Sequence, residues 1–120
     1  MKIIAEITPV PLGRTKINTQ NKGRYLDAKS KKFKQDFQIL LRVAFKQQPL
    51  TAPLALTLHF YKNAEPTSKT RYGDIDNLEK AVLDACNGIL WLDDRQIVEM
   101  HSYKHKGTGK IILEVIENVD

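Results

Sequence analysis

Cysteine occurs once in these 120 residues, at Cys86, so no internal disulfide can form and no cysteine zinc site can be built. Long apolar runs are equally scarce, and nothing approaches the roughly 20 residues that a membrane-spanning helix needs. The N-terminal "MKIIAEITPVP" has one lysine and an apolar stretch, but Glu6 and the prolines interrupt it too early for the hydrophobic region of a signal peptide. It is expected to be a first strand, and the protein cytoplasmic. Glycine-rich phosphate loops of the P-loop or dinucleotide type are missing. So are internal repeats and any linker long enough to divide the chain. Histidine is rare too. His101 and His105 have a spacing that would suit zinc on a helix, but in a strand four residues span about 13 Å, too far for one ion. With His59 they are assigned to sheet-face or surface positions.

What is present is the composition of a globular domain, 42% hydrophobic and 28% charged, in a chain of the size of one domain with one core. The net charge of +5 is unevenly placed. Arg14, Lys16, Lys22, Arg24, Lys29, Lys31, Lys32 and Lys34 crowd one segment with Asp27 as its single acid, and the rest of the chain is mildly acidic. Concentrated cations are the electrostatic footprint of a polyanion binder, because each neutralised phosphate releases counterions. Gly23 and the polar run "NTQNKG" suggest a mobile loop that orders on a ligand.

Periodicity gives the element order. Ile3, Ala5 and Ile7 alternate with Ile4, Glu6 and Thr8 in a short strand that ends at the prolines. From Ser30, a plausible N-cap, Phe33, Phe37, Leu40, Leu41, Ala44 and Phe45 recur at three and four, an amphipathic helix that stops before Pro49. "LALTLHF" returns to period two, and "KNAEPTSKTRYG" reads as an exposed basic connection. A second helix has the stripe Leu78, Ala81, Val82, Ala85 and Ile89, with Asn87 and Gly88 as its stop. Trp91 and Leu92 are expected to be core anchors, and Cys86 a buried thiol. Asp93 and Asp94 open a turn into a strand from Gln96 to about Lys106, and "KGTG" is expected to make a hairpin to a last strand, Lys110 to Ile116. The order β-α-β-α-β-β in a single domain predicts an α+β fold, a mixed β-sheet with two helices packed on one face.

The chemistry lies in "YGDIDNLEKAVLDACNG", residues 72 to 88. Asp76 has a structural explanation as an N-cap with Glu79 as capping-box partner, and Lys80 has one as an i,i+4 partner of Asp84. Asp74 has none. If "GDID" is extended, its two carboxylates point to the same side. Like charges about 5–7 Å apart resist joint ionisation unless a cation lies between them, a place that hard divalent ions take. Lys80, one turn further on, adds an ammonium suited to a phosphate. Asp93 and Asp94 form a second acidic pair, which alone reads as an ordinary polar turn. On the residues alone three classes stay open: a metal-dependent nuclease, a non-catalytic DNA-binding module, and a metal-dependent phosphoesterase for small nucleotides. The module leaves Asp74 and Lys80 accidental, and the phosphoesterase leaves the basic segment superfluous.

Residues 73 to 98, "GDIDNLEKAVLDACNGILWLDDRQIV", resemble the signature of the RusA family of Holliday junction resolvases, found in bacteria and their prophages. The family pattern is Asp-x-Asp-Asn-x-x-Lys-x-x-x-Asp, a helix remainder, an apolar residue, Asp-Asp and a small apolar strand. Asp74, Asp76 and Asp94 fall on the metal-binding carboxylates and Lys80 on the essential lysine, while Asn77, Asp84 and Asp93 also match. The early loop departs from the pattern: "PVPLGRTK" has Pro9, Pro11 and Arg14 without the family's asparagine. The resemblance implies a homodimeric crossover junction endodeoxyribonuclease acting in DNA recombination and repair, which nicks a four-way junction or other branched DNA symmetrically. It implies one or two Mg²⁺ per site, with Mn²⁺ as a substitute, held by Asp74, Asp76 and Asp94. Lys80 would orient the attacking water or offset charge on the phosphate. Arg14, Lys16, Lys22, Arg24, Lys29, Lys69 and Arg71 would neutralise backbone phosphates.

Overall fold

The stretch "LALTLHF" becomes the centre of the sheet. In the computed structural model, which describes residues 1–13, 16–17, 24–25 and 27–117, the elements run β1 (Lys2–Ala5), β2 (Lys16–Ile17), β3 (Arg24–Tyr25), α1 (Ala28–Ala44), β4 (Leu54–Lys62), α2 (Ile75–Cys86), a short 3₁₀ turn (Asp94–Gln96), β5 (Ile97–Lys106) and β6 (Lys110–Glu117). The main sheet has the order β1-β6-β4-β5, with β4 parallel to β5 and antiparallel to β6. It is the mixed sheet of an α+β fold. Beyond the expected elements there is a two-stranded ribbon, β2 with β3, which pairs Lys16 with Tyr25 and Ile17 with Arg24.

The alternation of β4 sorts the two faces. Leu54, Leu56, Leu58 and Phe60 point inward, beside Val115, Leu113 and Ile111 of β6 and next to Ile3 and Ala5 of β1. Phe33, Phe37 and Leu41 of α1 and Leu78, Ala81, Val82 and Ala85 of α2 cover this face, so both helices lie on one side. Apolar burial of this kind contributes about 25 cal/mol per Å² and drives the assembly. Thr57, His59, Tyr61, His101, Tyr103 and His105 stand on the opposite, uncovered face, where the His59, Tyr61, Tyr103 and His105 rings stack at 4.6–6.4 Å. The histidines therefore lie where the strand reading put them.

Two expectations need correction. The "KGTG" segment makes no hairpin, because β4 lies between β5 and β6. The turn passes over the end of β4 instead, with the Gly107 N–H donating to the Lys62 carbonyl at 3.0 Å. The more apolar β4 takes the central place and β5, with its charged and histidine side chains, takes an edge, which polar residues protect from further pairing. Helix α1 also starts two residues before Ser30. Asp27 is its N-cap and accepts from the Ser30 N–H at 2.8 Å, while Ser30 is buried inside the first turn.

One buried phenol ties the ends of the parallel strands together. The Tyr72 hydroxyl lies 2.8 Å from the Phe60 carbonyl and 2.6 Å from the His105 carbonyl, and it accepts from the His105 N–H at 3.1 Å. Burial pushes its ionisation up from the usual tyrosine value. Tyr72→Phe should lower stability by about 1–3 kcal/mol, because a buried N–H and two carbonyls lose their partner. Urea denaturation of the parent and variant measures this.

Candidate active site

The loop after β4 delivers the first carboxylate. It turns on Ser68, whose carbonyl accepts from the Tyr72 N–H at 3.1 Å and the Gly73 N–H at 3.3 Å. Gly73 then adopts φ +99°, in the left-handed region, with Pro11 packed so closely that a Cβ would lie 2.7 Å from Pro11 Cγ. Glycine meets both demands. The next residue of the early loop, Leu12, donates its N–H to the Asn77 carbonyl at 2.9 Å. "PVPL" is thereby seated on the start of α2.

Asp74 is the N-cap of α2, with φ −74° and ψ 142°, and its carbonyl accepts from Asn77 and Leu78. Its carboxylate makes no cap hydrogen bond. An N-cap aspartate that leaves the cap bond unmade forgoes about 1 kcal/mol of helix stability. Asp76 lies in the first helical turn. The chain is thus extended at Asp74 but already helical at Asp76, which corrects both the N-cap assignment of Asp76 and the extended reading of "GDID". Glu79 is no capping partner either, since it accepts from the Ser102 hydroxyl at 2.6 Å and so joins α2 to β5. Both aspartates are exposed, at the helix end whose dipole favours negative charge.

Lys80 loses its bland explanation. Asp84 pairs with Lys34 of α1 at 3.2 Å, and Lys80 makes no ion pair with another described residue. Lys80 instead lines a pocket of about 290 Å³ with Leu12, Leu83, Asp84, Asn87 and Asp94. The pair Asp93–Asp94 divides into two jobs. Asp93 caps the 3₁₀ turn and takes part in a capping box with Gln96, and the Arg95 N–H bonded to its carboxylate holds that group below the usual aspartate value. Asp94 is exposed and faces the pocket. The return from α2 is as tight as expected: Leu50, just before β4, donates its N–H to the Leu90 carbonyl at 2.8 Å and bridges to Trp91. Gly88, at φ +82°, ends the helix, and the buried Trp91 indole donates to Asn87 Oδ1 at 2.8 Å. Leu92, expected in the core, is 58% exposed instead, just ahead of the 3₁₀ turn, with its N–H donating to Gln96 Oε1 at 2.9 Å.

Asp74 and Asp76 thus occupy the start of α2, and Asp94 lies with Lys80 beside its later turns. Among the described residues no three His, Cys, Asp or Glu side chains come together as a group able to hold a metal ion. The donors on offer are carboxylate oxygens, which suit hard ions such as Mg²⁺ that keep several waters and take substrate phosphate oxygens as ligands. Lys69 and Arg71 are exposed just ahead of Asp74, and Lys29 is exposed at the start of α1. Gly13 and Asp27, at the two ends of the basic loop, meet at Ser30, whose hydroxyl accepts from the Gly13 N–H at 2.8 Å. Arg14, Lys22 and the run "NTQNKG" lie outside the described residues, and of Lys16 and Arg24 only the strand pairing is described. Cys86 is fully buried and its thiol is pushed far up by desolvation, so it is no nucleophile. Three residues missed in the sequence stand beside Asp74: Tyr72, and Lys62 and Lys104 near its ring. A lysine in register with an inward-facing phenylalanine, as Lys104 is with Phe60, is the signal that could have found one of them.

The capping role of Asp93 is testable through pH. A depressed carboxyl adds stability that is present above its unfolded value and lost as pH falls through its folded one. Asp93→Ala should therefore be less stable than the parent at neutral pH, with a gap that closes as the pH drops below about 4. Thermal denaturation of parent and variant across pH measures this.

The sequence model of the family described as endodeoxyribonuclease RusA matches residues 6–116, which include Asp74, Asp76, Lys80 and Asp94. No curated protein matches the chain. The chain belongs to the RusA family of endodeoxyribonucleases and is a Holliday junction resolving endonuclease.

Proposed function

We propose that this resolvase works as a Mg²⁺-dependent homodimer in the cytoplasm, with Asp74, Asp76 and Asp94 as metal-binding carboxylates and Lys80 as the residue that acts on the scissile phosphate. The observation that carries this reading is the Lys34–Asp84 ion pair, which releases Lys80 into the pocket it shares with Asp94. A second protomer follows from the substrate, since a two-fold symmetric junction cut twice asks for two sites related by a two-fold axis. Among the described residues no three of the acids meet, so water and the phosphate oxygens of bound DNA would supply the ion's remaining ligands.

Mg²⁺ held by these carboxylates would lower the pKa of a coordinated water and offset the phosphate's negative charge, which otherwise repels the nucleophile. The protein's own groups do the rest. Asp74 and Asp76 present fixed negative charge at the start of α2, Asp74 positioned by the Gly73 turn and Asp76 by the first helical turn. Lys80 offers three N–H donors to phosphate oxygens, where they stabilise charge that grows in the transition state. Lys29, Lys69 and Arg71, with Arg14, Lys16, Lys22 and Arg24 of the loop, neutralise backbone phosphates with little base reading.

Cleavage of a mobile synthetic four-way junction tests the assignment. The parent should cut only with a divalent ion, with Mn²⁺ able to replace Mg²⁺, and a chelator should stop it. Asp76→Asn should abolish cutting, and undiminished cutting by that variant would overturn the metal role. Lys80→Ala should keep junction binding while cutting falls by about 10²–10³-fold, the loss typical of one transition-state donor. A variant neutralising Lys22, Arg24 and Lys29 should instead lose affinity. If Lys80→Ala lost binding, its transition-state role would be wrong.

A further inference from the structure

The parallel strands place two lysines under the loop that carries Asp74. Lys104 stands in register with Phe60, and Lys62 lies two residues beyond Phe60, so both continue the inward-facing rows of β4 and β5 past the last apolar residue. Lys104 Nζ donates to the Gly73 carbonyl at 2.9 Å and lies 5.1 Å from the centre of the Tyr72 ring. Lys62 Nζ reaches the preceding carbonyl, that of Tyr72, at 3.5 Å, and lies 6.0 Å from the same ring. Two half-buried ammonium groups are thus fixed on consecutive carbonyls directly before Asp74.

Neither has a carboxylate partner among the described residues. Three other lysines do find one: Lys32 with Asp36, Lys34 with Asp84, and Lys106 with Glu65. Both burial and the positive charge of Lys29 work against the charged form of Lys62. Each ammonium has three donors, and contacts to the described residues use one on each lysine. An unmatched, partly desolvated cationic pair with spare donors is a poor structural device and a good anion site.

We propose that Lys62 and Lys104 together bind a backbone phosphate of the DNA junction, next to the carboxylates that begin with Asp74. The inference rests on the junction-cleaving reading and adds to it a phosphate contact outside the basic loop. Tyr72 is the wall of this site, its ring giving each ammonium a cation–π contact that holds it in place without neutralising it. The consecutive carbonyls fix where the ammonium groups sit relative to Asp74. A phosphate held there sets the register of the DNA strand on the acids.

The test is junction binding without divalent ion, so that no cleavage intervenes, measured by fluorescence anisotropy across a salt series. Lys62→Gln/Lys104→Gln keeps a donor for each carbonyl and removes both charges. Its plot of log Kobs against log[salt] should be less steep than the parent's by about one, the loss of one phosphate contact. Lys62→Arg/Lys104→Arg, which keeps the charges, should retain the parent slope. An unchanged slope in a folded glutamine variant would overturn the proposal and leave the resolvase reading standing. Failure of the parent itself to bind the junction would overturn both.

Discussion

The parallel pairing of β4 with β5 is the constraint on which the site depends. A strand that ends at Lys62 cannot be followed by a parallel neighbour until the chain has returned to the other end of the sheet, and α2 is that return. The start of α2 is therefore delivered to the carboxyl ends of β4 and β5, the edge at which open sheets with parallel strands commonly bind ligands. Tyr72 makes the delivery rigid, since its hydroxyl reaches the Phe60 carbonyl of one strand and the His105 backbone of the other. Asp74 follows two residues later. The same crossover has a cost, for a helix of 12 residues spans about 18 Å. Asp94, which follows the return, comes to lie beside the later turns of α2.

The early loop is built onto this frame rather than beside it. Pro11 closes over Gly73, Leu12 bonds to Asn77, and Gly13 bonds to Ser30 at the head of α1. Successive residues of one short stretch thus join the start of the candidate site to the start of the basic segment. The two ends of that segment, Gly13 and Asp27, are thereby tied together at Ser30, one residue from the Leu12 bond to α2.

Periodicity made much of the fold legible. The stripes Phe33–Phe37–Leu41 and Leu78–Ala81–Val82–Ala85 and the alternation of β4 and β6 are buried as their spacing required, because burial of one face is a local demand that local sequence must meet. The failures are of another kind. "KGTG" flanked by two strands reads as a hairpin, and nothing in it reports that β4 takes the place between them. Strand order is decided by competition among strands for the central position, which is a property of the whole chain. Cap positions failed for a related reason: Asp27 rather than Ser30, and Asp74 rather than Asp76, are chosen by where the incoming loop is tied down. Composition could name the acids and the lysine of the site. It could not show that Asp93 caps a turn while Asp94 faces Lys80, nor that Lys62 and Lys104 meet at one ring.

Those lysines point to the physical character of the whole region. At four places on the surface charge is settled locally: Lys32 meets Asp36, Lys34 meets Asp84, Arg95 meets Asp93 and Lys106 meets Glu65. Around the start of α2 it is left unsettled. Asp74 makes no cap bond, Lys80 lacks the partner its spacing suggests, and Lys62 and Lys104 reach consecutive carbonyls and one ring with no acid among the described residues. Departures of this kind from local pairing are common at functional sites. On the proposed reading the acids and the lysines are two halves of one binding surface, one for the metal and the other for the strand to be cut.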